Sequence, residues 1–492
     1  MKLRVSQSTN PCSLILVTVD CLRADHVGFL GYGKPTTPFL GSLAKEGLVM
    51  ASAIATGTPT YHAFPAIMAS RYPLALGRDL IGLAPQETTL ASSLREAGYS
   101  TGAFVAANPY LSRRYGYDFG FETFHDFLDV KMTATNGNGD HPNRFNVALK
   151  KISRQWGLLE AVYDELSFQC SLRKARRSSF SFDQLRRFPA ADFIVNKALD
   201  WLSSVSTPFL LWLHFMDPHA PYYPLEMGLS ALALDGMDSM RAWDFNSHWN
   251  RAELSLPRAR KYHDKIMALY DAGIRSVDQQ IARFVGALQK AGIWNNCIFA
   301  FTADHGEEFL EHGGRFHFPP KVTEELVRVP LLIHDPKNRR EQRCLGSFGL
   351  LDLPPTLLGA VGKGAPASFR GRNRWAEISS GKLPDDPVIT ECCHHNPSLA
   401  GVALGARILS LRESQYKLVI DFRNTREVLF DLEEDATESR PLPDDAESVR
   451  RRRLLDRARA HVSDSLQSRD MAARAGLLLR ETLAEKNASM FT

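Results

Sequence analysis

The chain is poor in the features that would commit it to a secreted, membrane or nucleic-acid-binding class. It has seven cysteines, an odd number that includes the neighbours Cys392 and Cys393, so no disulfide framework can be read and a reducing compartment is expected. It has no excess of one charge: a net +4 over 492 residues is too small to argue for nucleic acid. No stretch reaches the roughly 18 consecutive apolar residues of a membrane-spanning helix. Met1 to Asn10 is polar, and the first apolar run, Leu14 to Val17, is too short for a leader. These absences point to a cytoplasmic protein with no nucleic-acid partner and no membrane span. What is present, 44% apolar and 10% aromatic residues, is ordinary for a globular chain with a sizeable core.

The pattern that stands out is a short apolar run that ends abruptly in acid and imidazole. Ile298 to Phe301, followed by Thr302 and Ala303, breaks into Asp304, His305 and Gly306. Such a run suits one buried strand and is too short for a helix. Burying a carboxylate and an imidazole together is costly unless a charge receives them, and oxygen and nitrogen ligands suit Mg, Mn, Ca or Zn. Gly306 allows a tight backbone there. The same pattern recurs twice: Leu14 to Val19 ends at Asp20, and Phe209 to Phe215 runs into Met216, Asp217, Pro218 and His219. Helical patterns at Thr37 to Glu46, Thr88 to Ala97, Ala190 to Ser203 and Met267 to Ala291 separate these strands. Alternation of this kind predicts an α/β fold, in which the carboxyl ends of parallel strands form the ligand-binding edge.

A metal site needs a reacting group, and Met50 to Pro73 offers Thr60, placed after a small-residue loop and before a helix through Ser70. As a helix N-cap it would sit where backbone N–H groups favour an anion. There it either serves only as the cap or, beside a divalent cation, becomes a nucleophile toward phosphorus. Pro65 inside the proposed helix is the one element against the pattern.

Taken together, VTVDCLRADHVGFLGY, TPFLGSLAKEG, the Met50 to Pro73 loop, PFLLWLHFMDPHAPY, LYDAGIRSVDQQI, FTADHGEEFLEHGG, EELVRVPLLI, LDLPPTLLGAVG and the later YKLVI and VLFDLEEDATES resemble the sulfatase family of the alkaline phosphatase superfamily. They occur in the family's order, from about residue 13 to 440. The resemblance implies a large central mixed sheet flanked by helices, followed by a smaller domain with a small antiparallel sheet. The corresponding boundaries are a catalytic domain over 1–335 with insertions at 130–188 and 225–260, a smaller domain over 336–445, and a helical tail over 446–492. The resemblance also implies a divalent cation held by Asp20, Asp304, His305 and the nucleophile Thr60. His219 would bind the substrate anion or protonate the leaving group.

The departures from the family decide the chemistry expected. Thr60 stands where sulfatases carry the Cys or Ser that is oxidised to formylglycine, and His62 and Phe64 occupy that motif's Pro and Arg positions. Threonine cannot form the aldehyde hydrate that releases sulfate, whereas water can cleave a phospho-threonine at phosphorus. The expected activity is hydrolysis of phosphate or phosphonate mono- or diesters through a covalent Thr60 intermediate. Sulfuric ester hydrolysis, phospho-group transfer, and an inactive anion-binding scaffold are the alternatives.

Cys21 replaces a second metal-binding Asp, which favours Mn or Zn over Ca. One ion is expected, and Asp217, His219 and His317 leave a second open. The family's active-site Lys has no clean match; His317 is the nearest candidate and Lys321 the alternative, so His317, Asp217 and Lys321 are the expected substrate contacts. His214 reads as a satisfied core histidine, His312 as a loop-structuring residue, and Arg23 with Asp25 as a structural pair. The partner is a small anionic ester, and self-association is left open.

Overall fold

The computed structural model describes residues 11–75, 81–129, 180–251, 255–393 and 407–465. Its large sheet is built from β1 (Ser13–Val19), β2 (Leu48–Ile54), β3 (Ser100–Val105), β4 (Thr123–His125), β5 (Phe209–Phe215), β6 (Cys297–Ala303), β9 (Arg328–His334) and β10 (Gln342–Gly349). A separate two-stranded ribbon pairs β7 (Glu308–Phe309) with β8 (Arg315–Phe316). The order across the large sheet is β10-β2-β9-β6-β1-β5-β3-β4. β1, β5 and β6 are buried at every position, which requires layers on both faces. Leu16 of β1 lies opposite Trp212 on one side and Ala300 on the other, both in parallel register. β9 runs antiparallel to β2 and β6, so the sheet is mixed.

The expected helices form, within a residue or two, at α1 (Pro38–Ala44), α3 (Leu90–Glu96) and α4 (Ala191–Leu202). Thr89 and Ser92 close a capping box at the start of α3, which satisfies donors a helix start otherwise leaves open. The helix read from Met267 begins earlier: α5 spans Leu256–Lys290, opening with a proline in its first turn. Its early turns carry Arg258, Arg260 and Lys261, so no apolar stripe announces them.

A second, antiparallel sheet of β11 (Val388–Cys393), β12 (Arg407–Glu413), β13 (Tyr416–Asp421) and β14 (Arg426–Asp431) follows. The boundary expected at 335 falls inside the large sheet, because β10 pairs with β2 at its edge. Its sequence QRCLGSFG lacks a continuous apolar run, as a half-solvated edge strand does. Of the tail over 446–492, residues 466–492 lie outside the described residues. The stretch over 448–465 is helical, and its Leu454, Ala458 and Val462 share a core with Leu409, Leu411, Leu418 and Leu429 of the small sheet. The segment 225–260 is no free excursion: the helices Glu226–Ala231 and Ser239–Trp249 pack on α5. Most of the 130–188 insertion, with Arg173, Lys174, Arg176 and Arg177, lies outside the described residues. Arg186 is described, and it is structural, donating to the carbonyls of Tyr223 and Pro224 and pairing with Asp183.

Candidate active site

The edge where β1, β5 and β6 end brings together Asp20, Thr60, His219, Asp304, His305 and His317. Asp20 extends β1 by donating its N–H to Phe215 O at 2.9 Å, which fixes its side chain at the sheet edge. Asp304 and His305 follow β6 directly. α2 (Thr60–Ala69), entered from β2, brings Thr60 to the same point, with every residue of the helix buried. Thr60 is not the N-cap: Pro59 holds that position and Thr60 is the first helical residue. Its hydroxyl is therefore not spent on capping the helix. Oγ1 lies 3.4 Å from Asp20 Oδ2 and 3.1 Å from His305 Nε2. His305 Nε2 is in turn 3.9 Å from Asp20 Oδ1 and 3.5 Å from Asp304 Oδ2.

Asp20, Asp304 and His305 are each 0% exposed. Asp304 Oδ1 accepts the His305 N–H at 2.9 Å, while its Oδ2 has no hydrogen-bond partner among the described residues. Burial and the Asp20 charge push the Asp304 carboxyl up. Burial also opposes the charge on Asp20, but His214, His219 and His305 outweigh it and hold that carboxyl well below its usual range. Two buried carboxylates converging with one oxygen unpaired is an arrangement that a divalent cation would relieve. The donor set of carboxylate, imidazole and hydroxyl fits such an ion.

Three neighbours of this group were not among the expected site residues. Asn108, just past β3, donates to Asp20 Oδ2 at 2.7 Å; a polar residue after another strand of the same sheet edge was the available hint. His214 is a core histidine, with Nδ1 2.9 Å from Thr18 Oγ1, but not the satisfied one expected: its Nε2 has no hydrogen-bond partner among the described residues and lies 3.5 Å from Asp20 Oδ2. Glu307, fully buried, holds His317 Nδ1 at 3.2 Å. Burial disfavours the charged His317 ring, but Glu307, Asp20 and Asp304 outweigh it and push its pKa up to about 8. Burial takes His219 the other way, below its ordinary value, against the pull of Asp20. The two rings stand 5.1 Å apart, and His317 lies 4.6 Å from His305.

Cys21 adopts φ 59°, an uncommon conformation for a residue with a Cβ. Its thiol donates to Asp20 Oδ1 at 3.0 Å and sits 3.3 Å from His317 Nδ1. Burial, with Glu307 and Asp20, raises its pKa, so it remains a thiol in the absence of an ion. The loop carrying it is latched by α5: Tyr270 donates to Cys21 O at 2.7 Å and accepts the Arg23 N–H at 2.9 Å. Arg23 pairs with Asp25 at 2.7 Å, as expected, and also reaches Glu307 O at 3.1 Å. Gly306 is required for close approach, not for a left-handed turn, since a Cβ there would meet Glu325 O at 1.9 Å.

Two expected substrate contacts are held by other groups of the protein. Asp217 Oδ1 accepts the Ala191 N–H at the start of α4, 3.1 Å away, and its Oδ2 has no hydrogen-bond partner among the described residues. Lys321 pairs with the buried Glu308 in the seam toward the small sheet, so the ammonium is already committed. The second metal group read as Asp217, His219 and His317 therefore does not assemble. Cys21 takes the place of Asp217 beside the two histidines, with ligand atoms within 4.8 Å of one another. His312 lies 3.6 Å from Glu325, which ties down its loop.

Burial pushes the Asp217 pKa up to about 6. A carboxyl raised above its unfolded value contributes stability that is complete below about pH 4 and is lost as pH rises through about 6. Asp217→Asn is expected to remove that dependence, raise the melting temperature near pH 8 by about 1–2 °C, and leave turnover within about twofold. Melting curves from pH 4 to 8 with parallel assays check this; a large fall in turnover would return Asp217 to the substrate site.

A family model described as Sulfatase matches residues 13–363. The chain belongs to the sulfatase family. An arylsulfatase of Clostridium perfringens is 26% identical over 385 residues, covering 73% of this chain and 76% of that protein. The multifunctional alkaline phosphatase superfamily protein PehA of Trinickia caryophylli is 23% identical over 427 residues, covering 76% and 78%. Among solved structures, the phosphonate monoester hydrolase of Agrobacterium radiobacter superposes with TM-score 0.62 at 18% identity, covering 93% of this chain and 96% of that one. At that identity the superposition speaks for the fold alone. Sulfatase-family enzymes are metal-dependent hydrolases, and here Asp20, Cys21 and His305 bring ligand atoms within 4.8 Å of one another at the ends of β1 and β6. No helix among the described residues is long and apolar enough to cross a membrane.

Proposed function

We propose that this sulfatase-family hydrolase cleaves phosphate or phosphonate mono- or diesters through a covalent intermediate on Thr60. The observation that carries the reading is a threonine hydroxyl, free of capping duty, 3.1 Å from His305 Nε2 and 3.4 Å from Asp20 Oδ2. Asp20, Asp304, His305 and Thr60 would hold a divalent cation, which when bound lowers the pKa of a ligating hydroxyl and draws charge from a phosphoryl oxygen.

The chain's own groups do the rest. Thr60 Oγ1 reacts as the alkoxide, bonding to phosphorus in line as the ester P–O bond breaks. His317, held by Glu307, supplies positive charge for the anionic ester. His219 has Nδ1 committed to Ala220 O at 2.6 Å, which leaves Nε2 for the leaving oxygen. An anionic ester beside it favours its protonated form, so it can hand over a proton. Water then attacks the same phosphorus, His219 takes its proton, and Thr60 is released.

Phosphorus is favoured over sulfur because a threonine has no aldehyde hydrate with which to expel sulfate by breaking its own C–O bond. The likeness to an arylsulfatase supports sulfate ester hydrolysis as the second reading. Nitrophenyl phosphate, phosphodiester, phosphonate and sulfate esters assayed in parallel with metal-loaded protein decide between them. The phosphorus esters are expected to turn over at least about tenfold faster; a preference for the sulfate ester would reverse the assignment, and inertness toward all four would leave a scaffold.

A further inference from the structure

We propose that the protein has a second oxyanion-binding site, separate from Thr60 and its cluster, between the edge of the large sheet and the helix over 448–465. A cavity of about 240 Å³ opens there, and its lining includes Arg370, Arg372, Arg374 and Arg457. Arg372 and Arg374 share Asp386, at 2.7 Å and 2.6 Å, and Arg374 also holds Asp352 at 3.0 Å. Those carboxylates fix the two guanidinium groups in place. Arg370 and Arg457 make no ion pair among the described residues, and both are exposed to the cavity mouth.

An independent observation points to a ligand. Thr56 lines the same cavity and is 1% exposed, yet its Oγ1 has no hydrogen-bond partner among the described residues. An unsatisfied buried hydroxyl costs free energy, and an oxyanion can accept its hydrogen bond. The wall behind it is rigid. Glu391, fully buried, donates its N–H to Thr56 O at 2.9 Å, accepts the Leu74 N–H at 3.0 Å, and holds His461 Nε2 at 2.6 Å. The His461 ring packs edge-on against Tyr72 at 4.5 Å.

Uncommitted guanidinium groups with a buried hydroxyl suit a tetrahedral dianion, which arginine forks bind in bidentate fashion. The ligand class is therefore a free phosphate or sulfate ion, or the same group carried on a small ester. Because Thr56 stands four residues before Thr60 on one loop, such a ligand would touch the segment that delivers the nucleophile.

The test is equilibrium dialysis of the metal-loaded full chain with radiolabelled phosphate at fixed ionic strength. Wild type is expected to bind two equivalents. The double variant R370A/R457A, which breaks no ion pair among the described residues, is expected to keep one, and Thr56→Val to weaken the second at least about fivefold. Asp20→Asn, aimed at the Thr60 cluster, is expected to lose the other equivalent. If R370A/R457A and Thr56→Val both bind like wild type, the second site does not exist, whatever Asp20→Asn does. If only Asp20→Asn binds like wild type, the Thr60 reading fails and this one stands. Competition with glycerol phosphate separates the two sources: tighter displacement than by inorganic phosphate marks an ester, and weaker displacement marks the free ion.

Discussion

Thr60→Ala is expected to lower turnover of the best phosphorus ester by at least about a thousandfold, the scale seen when a covalent nucleophile is removed. The fold should survive, because the side chain caps nothing in α2 and alanine is the best helix former. The loss should fall on kcat more than on KM, since the hydroxyl acts on the reacting atom. Thr60→Ser, which keeps the oxygen, should retain most of the activity. A quenched mixture with labelled substrate should show label on wild-type protein and none on Thr60→Ala. Unchanged turnover in Thr60→Ala would remove the nucleophile from the scheme, and with it the argument for phosphorus.

Removing the cation should have an effect of similar size and a second, independent signature. Dialysis against a chelator is expected to reduce activity to background, with Mn or Zn restoring it. It should also lower the melting temperature, because an ion that binds only the folded state stabilises it by mass action. Asp304→Asn should behave differently. It should lose the ion and the activity, yet in metal-free protein it should be at least as stable as wild type. The reason is that Asp304 and Asp20 are both fully buried, and amide for carboxylate removes a like-charge pair from a medium of low dielectric. Metal analysis with melting curves on both proteins, with and without chelator, checks the prediction. If Asp304→Asn destabilises the metal-free protein by several degrees, Asp304 is a structural anchor and not a ligand awaiting its ion.

The candidate site was legible where the chain brings chemistry to the end of a buried strand. Asp20 and the pair Asp304-His305 each follow a mostly apolar run, broken by Thr18 in one and Thr302 in the other, and an edge of parallel strands is where such residues meet. Asp217 shows where that logic stops. It comes one residue later after β5 than Asp20 does after β1, and the N–H of Ala191 at the start of α4 is donated to its carboxylate at 3.1 Å. Which group a carboxylate serves depends on the element that happens to face it. Lys321 likewise pairs with Glu308 on β7, a partner that its place in the sequence does not announce. The boundary at 335 failed because an edge strand needs no continuous apolar run, and β10 has none.

Linear order by itself determined the α/β class and the candidate ligand residues at strand ends, which are local properties of period and composition; that Thr60 stands at the formylglycine position is what the resemblance to the sulfatase family implies. Only the tertiary structure decided that Thr60 starts its helix instead of capping it, that Asn108, His214 and Glu307 stand around Asp20 and His317, and that arginines from the 370–374 segment and the 448–465 helix meet over Thr56. Those are contacts between segments tens to hundreds of residues apart, and such contacts are set by how the layers pack, which no local pattern encodes.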